Sequence, residues 1–338
     1  MTERHCNIPV FIPHLGCPNQ CVFCNQRSIS GSQVFREEDV KRQIDEALTT
    51  VGAERKVEIA FFGGSFTGID RGLMLRLLEL AEGYVRAGRV DSIRLSTRPD
   101  YISDEILRIL SGYSVRTVEL GLQSMEERVL RSSGRGHTAE DAARACRAVV
   151  DAGFLLTGQM MIGLPDSTPQ SEIETAEKIC ALGATSVRIY PTVVFYDTPL
   201  CEMAQSGAYT PLTLAEAVVR SAAVLRVFEA HGVPCIRIGL CATDALTSPQ
   251  AVYAGPNHPA LGELVWSELR YEMLLEAVTL AGACGKRVTL RVPEREVSRV
   301  VGQHRCNLTR LLEACGTRVA KVIGSPLVDR IEVIEIER

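Results

Sequence analysis

The chain alternates short apolar runs with longer segments in which apolar residues return every three or four positions. Runs at 8–15 (IPVFIPHL), 57–64, 92–99, 115–123, 154–165 and 186–195 read as strands, with 235–240 as a seventh. Between them, REEDVKRQIDEALTTV, RGLMLRLLELAEGYVRAG, TAEDAARACRAVVDAG and SEIETAEKICALGA carry the helical period. Several of these end at a glycine just past the last apolar residue, as C-capped helices do. Strand and helix alternating at a spacing of roughly 30–40 residues predict right-handed βαβ units and a parallel sheet. Six or seven such units predict an α/β fold, a partial or full (β/α) barrel over residues 1–240, with its chemistry at the C-terminal ends of the strands.

The unusual polar and glycine-rich stretches fall where those strands end. A cysteine loop follows the first strand, GGSFTG the second, STRPD the third and GLQS the fourth. GLPDST follows the fifth and IYPT lies at the sixth. One rim of the barrel is therefore the expected active face. Residues 241–285 lose the alternation and read as an irregular, partly helical extension. From Lys286 a strand, two helices about a short turn and two further strands predict a small α+β domain over 286–338.

Composition narrows the partners. At 338 residues, with 46% hydrophobic and 23% charged residues and a formal net charge of −4, the chain reads as an ordinary globular protein. No run of about 18 apolar residues and no apolar leader occurs, so the expectation is cytoplasmic, with no membrane partner. The charge is uneven: 286–338 holds 11 Lys/Arg against 7 Asp/Glu, net +4, and leaves net −8 for the rest.

Of the 12 cysteines, most are scattered among apolar or helical stretches and read as small buried hydrophobes. Cys17, Cys21 and Cys24 differ, because three thiols within eight residues (HLGCPNQCVFCNQRS, 14–28) have ligand spacing for a soft metal. A structural zinc site needs a fourth ligand, and Cys6 and Cys306 stand in no pattern that supplies one. Three cysteines suit three irons of a [4Fe–4S] cube, which leaves the fourth iron open to a non-protein ligand.

With Phe23 before the last cysteine, on the loop after the first strand of a barrel, this motif resembles the radical S-adenosylmethionine superfamily. The resemblance spans roughly 8–240. Phe61-Phe62-Gly63-Gly64-Ser65, Ser96-Thr97-Arg98-Pro99-Asp100-Tyr101, Glu119 to Ser124, Arg135 to Thr138, Met161 to Pro165 and Ile189 to Thr192 carry it. It is most similar to the radical domain of the Elongator catalytic subunit and more distantly to oxygen-independent coproporphyrinogen oxidase. The resemblance implies a [4Fe–4S] cluster held by Cys17, Cys21 and Cys24, S-adenosylmethionine as cosubstrate, and a 5′-deoxyadenosyl radical that abstracts hydrogen. It implies an external electron donor of flavodoxin or ferredoxin type. It also implies cofactor contacts from Phe23, from the backbone of Gly63, Gly64 and Ser65, and from Ser96 at a ribose hydroxyl. Gln123 and Arg135 would meet the ribose and carboxylate, and the turn that begins at Ile162 would flank the adenine. Ser96 stands where relatives carry an acid, and no segment after the barrel resembles the Elongator acetyltransferase domain, so acetyl transfer is not expected.

Other residues have quieter expectations. His137 caps or orients its loop, Tyr190 faces either substrate or core, and His258 in GPNHPALGE is a candidate substrate residue. VVGQHRCNLTRLLEACG resembles the core of a KH domain, with Gly302 at the first loop glycine and Arg305 at the position of the second. Arg291, Arg295, Arg299, Arg305 and Arg310 are candidate phosphate contacts. The expected function is a radical enzyme acting on tRNA or another RNA recruited through 286–338. Action on a small molecule or tetrapyrrole is the first alternative, and a non-catalytic metal-cluster adaptor that binds RNA is the second.

Overall fold

The computed structural model describes residues 4–12, 15–17, 21–25, 35–52, 55–240 and 251–337. The chain divides into two units, one of residues 1–217 with 227–259, the other of 218–226 with 260–338.

The first unit is built on seven strands: β1 (Arg4–Ile12), β2 (Arg55–Gly63), β3 (Ser92–Thr97), β4 (Val115–Gln123), β5 (Leu155–Ile162), β6 (Ser186–Pro191) and β8 (Cys235–Ile238). They pair in chain order, β1-β2-β3-β4-β5-β6-β8, and every pair is parallel. The sheet curls into a half-barrel, and among the described residues β1 and β8 do not pair, so the partial barrel is the form adopted. A two-stranded antiparallel ribbon, β7 (Val194–Phe195) with β9 (Val252–Ala254), adds to this unit.

Helices Glu37–Leu48, Arg71–Arg86, Asp104–Ser111, Ala139–Asp151 and Pro169–Ala181 fill the crossovers. Thr138 and Thr168 start the last two with reciprocal capping boxes, each pairing with the third helical residue, which satisfies two otherwise orphaned donors. Strand alternation sorts the side chains. Ile8, Val10, Ile59, Phe61, Ile93, Leu95, Val118, Leu120 and Leu156 are buried on the helix-covered face. The opposite, concave face carries Glu58, Arg94, Glu119, Gln159 and Arg188.

In the second unit β10 (Arg287–Pro293) pairs in parallel with β11 (Arg318–Ser325) and antiparallel with β12 (Glu332–Glu337). Helices Leu261–Leu280, Val297–Val301 and Cys306–Cys315 pack on this sheet. The long helix belongs with this unit, because Leu274 and Val278 are buried with Val288, Leu290, Val292, Val300 and Leu311 in one core. The 241–285 stretch is thus not an element of its own: 251–259 goes with the first unit and the helix with the second, while 241–250 lies outside the described residues. No helix among the described residues is long and apolar enough to cross a membrane.

Candidate active site at the strand-end rim

The rim assembles through missing β-carbons. Gly64 lies where a Cβ would come within 2.0 Å of the Leu15 carbonyl, and a Cβ on Gly16 would come within 2.3 Å of the Ser65 carbonyl. Gly63 has φ +109, a conformation open to glycine. The Gly-Gly turn therefore locks onto the loop after β1, the loop that carries the cysteines, and Ser65 N donates to Leu15 O at 3.0 Å. The Ser65 hydroxyl is occupied as well. It bonds Thr97 Oγ1 at 2.7 Å and accepts from Arg98 N at 3.2 Å, tying the β2 and β3 ends together. The Ser65 carbonyl accepts from Gly68 N at 2.9 Å, so side chain and backbone both serve to position the rim.

Cys21 is buried, and Cys17 and Cys24 are partly exposed. The loop is pinned by Val22, whose amide donates to Ser133 O at 3.1 Å and whose carbonyl accepts from Leu200 N at 3.0 Å. Phe23 packs with Val22 against Val194, Leu200, Cys201 and Tyr209, so its ring anchors the loop. Among the described residues no three His, Cys, Asp or Glu side chains converge as a ready-made metal site. Cys17, Cys21 and Cys24 thus lie close along the chain without forming a preformed ligand set.

Two guanidinium groups attend the thiols. Arg135 donates from Nη1 to Cys21 Sγ at 3.2 Å and from Nη2 to Gly121 O at 2.5 Å. Arg98 forks onto Asp100 at 2.9 Å through both nitrogens and donates to the Arg135 carbonyl at 2.5 Å. Burial pushes the Cys17 thiol up from its usual value, and the positive charges of Arg98 and Arg135 work against that. Sequence reasoning named Arg98 only as part of a motif; its role is visible once β3 and β4 lie side by side.

Gln123 closes β4 with φ 68, rare for a residue with a side chain, beside a shift in the β4–β5 register. Its Oε1, Arg135 Nε and Thr192 Oγ1 are buried with no hydrogen-bond partner among the described residues. Buried polar atoms without partners are costly, and strained backbone gathers at working sites. Ile162 ends β5 fully buried, accepting from Thr192 N at 2.8 Å through its carbonyl. The next residue, Gly163, accepts from Tyr209 OH at 2.6 Å.

Below the rim the concave face holds a charge ladder. Arg94 Nε donates to Glu58 at 3.0 Å, Arg94 Nη1 lies 3.5 Å from Glu119, and Arg188 Nε donates to Glu119 at 3.0 Å. Gln159 bonds Glu119 and also donates to Ser96 Oγ at 3.2 Å. Ser96 therefore already has a neutral partner in Gln159. Burial opposes ionisation of Glu58, but Arg94 and the Ser92 hydroxyl outweigh it and hold the carboxyl below its ordinary range. Tyr190 is pushed up to about 12, chiefly by burial. The ladder escaped sequence reasoning, although single charges inside the apolar runs VEIAFF, IRLST, VELGL and VRIYP were its signal.

One expectation changes. The cap of helix Ala139–Asp151 is Thr138, not His137; His137 is buried, and burial with the Arg135 and Arg98 charges lowers its pKa to about 4. His258 is exposed. In the second unit, Gly302 has φ +75, and His304 and Arg305 are left-handed at φ 51 and 63. Arg310 forks onto Glu268 and sits 3.7 Å from the Tyr271 ring centre. Arg299 pairs with Glu296 and Glu263, and Arg291 lies 3.6 Å from Glu332. Three of the five arginines expected at phosphate are thus already paired.

The donor set suits an anionic iron–sulfur cluster with a polar cosubstrate. Cys17 and Cys21 sit beside two fixed cations, the Gly63–Gly64 turn is partly exposed, and Gln123 Oε1, Arg135 Nε and Thr192 Oγ1 lack partners among the described residues. A sequence profile of the radical SAM superfamily matches residues 11–179, and one of the radical SAM C-terminal domain matches 184–271. An uncharacterized protein of Methanocaldococcus jannaschii is 31% identical over 218 residues, 61% of this chain and 66% of that protein. Elongator complex protein 3 of Danio rerio is 29% identical over 50% of this chain and 35% of its own length. The tRNA uridine(34) acetyltransferase of M. jannaschii is 28% identical over 51% and 36%. The chain thus spans about a third of the length of the last two relatives. Among solved structures, Elp3 of Methanocaldococcus infernus matches with TM-score 0.63 and 20% identity over 80% of this chain and 64% of that one. Methylornithine synthase matches with TM-score 0.52 and 15% identity over 94% and 84%. Both are likenesses of fold.

Proposed function

Since the chain belongs to the radical SAM superfamily, whose members use a [4Fe–4S] cluster and S-adenosylmethionine, we propose that this radical enzyme modifies a base of tRNA. Bound at the rim, the two groups supply a 5′-deoxyadenosyl radical. In this reading Cys17, Cys21 and Cys24 hold three irons, and the Gly63–Gly64 backbone and Gln123 Oε1 receive S-adenosylmethionine, with Ser96 and the turn after Ile162 alongside. Phe23 and the Ser65 hydroxyl act by positioning. The observation that carries the site is the interlock of the Gly63–Gly64 turn with the cysteine loop beside the unpartnered Gln123. The nucleic-acid substrate rests on similarity to Elongator complex protein 3 and the archaeal tRNA uridine(34) acetyltransferase. RNA recruitment through 286–338 falls to Arg295 and Arg305 rather than to the paired arginines. Reducing power comes from a flavodoxin- or ferredoxin-type donor.

The test is anaerobic reconstitution with iron and sulfide, then dithionite and S-adenosylmethionine. The expected product is 5′-deoxyadenosine, with Cys17→Ala falling to background and losing the cluster absorbance. No nucleoside product from the wild type would end the radical reading. A tRNA mobility shift that Arg305→Glu leaves unchanged would end the recruitment reading.

A further inference from the structure

Arg135 spends two of its donors on the protein itself, one of them on a thiol. Its guanidinium donates to Cys21 Sγ at 3.2 Å and to the Gly121 carbonyl at 2.5 Å. Its own carbonyl is gripped by Arg98, which Asp100 orients through two bonds. Arg98, Arg135 and Cys21 are all about 95% buried. The chain is arranged so that the sulfur keeps its donor: Arg135 lies in the loop before helix Ala139–Asp151, and its amide is tied to Leu130 O at 3.0 Å.

We infer that Arg135, backed by Arg98, is a positioning residue for the cluster: it hydrogen-bonds the Cys21 sulfur and sets the cluster's reduction potential. This rests on the reading of Cys17, Cys21 and Cys24 as cluster ligands. Reduction adds negative charge to a site that burial already disfavours. An N–H donor at a ligand sulfur and a fixed cation stabilise the reduced form and raise the potential. The pair of arginines offsets the burial of Cys21 and keeps the cluster within reach of its electron donor. Arg98 acts through Arg135, since its fork is spent on Asp100 and the Arg135 carbonyl.

The measurement is an EPR-monitored redox titration of the reconstituted full chain without S-adenosylmethionine, for the wild type, Arg135→Met and Arg135→Lys. Arg135→Met is expected to lower the reduced-to-oxidised ratio at fixed potential at least tenfold, about 59 mV for a one-electron couple. Arg135→Lys should recover part of that shift. S-adenosylmethionine affinity for the oxidised protein should change less than threefold in both. An unmoved potential overturns the inference, and if affinity falls tenfold at the same time the carboxylate role is restored to Arg135. Should Arg135→Met fail to load iron, the wild type labelled with ¹⁵N-arginine decides: a ¹⁵N coupling to the reduced cluster supports the hydrogen bond, and its absence refutes it. A wild type that loads no cluster refutes instead the reading of the three cysteines.

Discussion

His137 shows how a residue two positions from a working arginine becomes a liability in acid. It is about 95% buried, and its pKa drops from 6.5 to about 4. The unfolded chain therefore takes up the proton first, and acid favours unfolding. The contribution of neutral His137 is complete above about pH 6.5 and is lost as pH falls toward 4, for a total of roughly 3 kcal/mol. Urea unfolding of the cluster-free protein at pH 7.5 and pH 5 should show this loss, and His137→Phe should flatten it. Equal slopes for wild type and variant would place the acid sensitivity elsewhere. The residue was legible from sequence only as a histidine near a cap. Nothing local distinguishes a buried neutral imidazole from a capping one, because its surroundings, Arg98 and Asp100 after β3 and Leu122 in β4, come from other parts of the chain.

Elements were easier to read than residues. The six main strands and the crossover helices follow from alternation and helical period, since a parallel sheet covered by helices needs continuous apolar faces. What was not legible was why the Gly63–Gly64 turn has no side chains. Spacing suggested room for a ligand; the structure fills the space beside the missing β-carbons with the backbone of Ile12 and Leu15, a contact between chain segments some 50 residues apart. Gly64→Ala must push the cysteine loop away, because the obstructing atom is a carbonyl held at 2.0 Å and not a movable side-chain end. Iron content after reconstitution is expected to fall below half that of wild type. Gly83→Ala, within helix Arg71–Arg86 with nothing within 4 Å of its added carbon, is expected to raise stability by about 0.5–1 kcal/mol with iron content unchanged. Full iron loading by the Gly64 variant would show that the interlock is dispensable.

At the scale of the molecule the half-barrel is held open by charge rather than filled by apolar side chains. Glu119, 1% exposed, is shared by Arg94, Arg188 and Gln159 from three other strands. Removing one member of such a group strands its partners in a region with little water. Glu119→Gln should destabilise by about 3–5 kcal/mol, where the exposed Glu46→Gln should cost under about 0.5 kcal/mol. Pairing Glu119→Gln with Arg188→Met should restore a measurable part of the loss in denaturant titrations. Equal effects of the Glu119 and Glu46 variants would deny the ladder its role. This layer was the least legible from sequence, since each of its charges lies on a different strand and each alone resembles a solvated position.

The strictly consecutive strand order bears on the time of assembly. Each strand of the half-barrel pairs with one made just before it, so the sheet can extend in the order of synthesis without waiting for distant segments. The thiols emerge with the first strand, while Arg135 lies 114 residues beyond Cys21. At translation rates of about 5–20 residues per second, that gap is roughly 6–23 seconds. During that interval Cys21 has no guanidinium donor and no wall from β4. Cys21 is therefore most open to oxidation early in synthesis, and the late arrival of Arg135 and its neighbours ends that exposure.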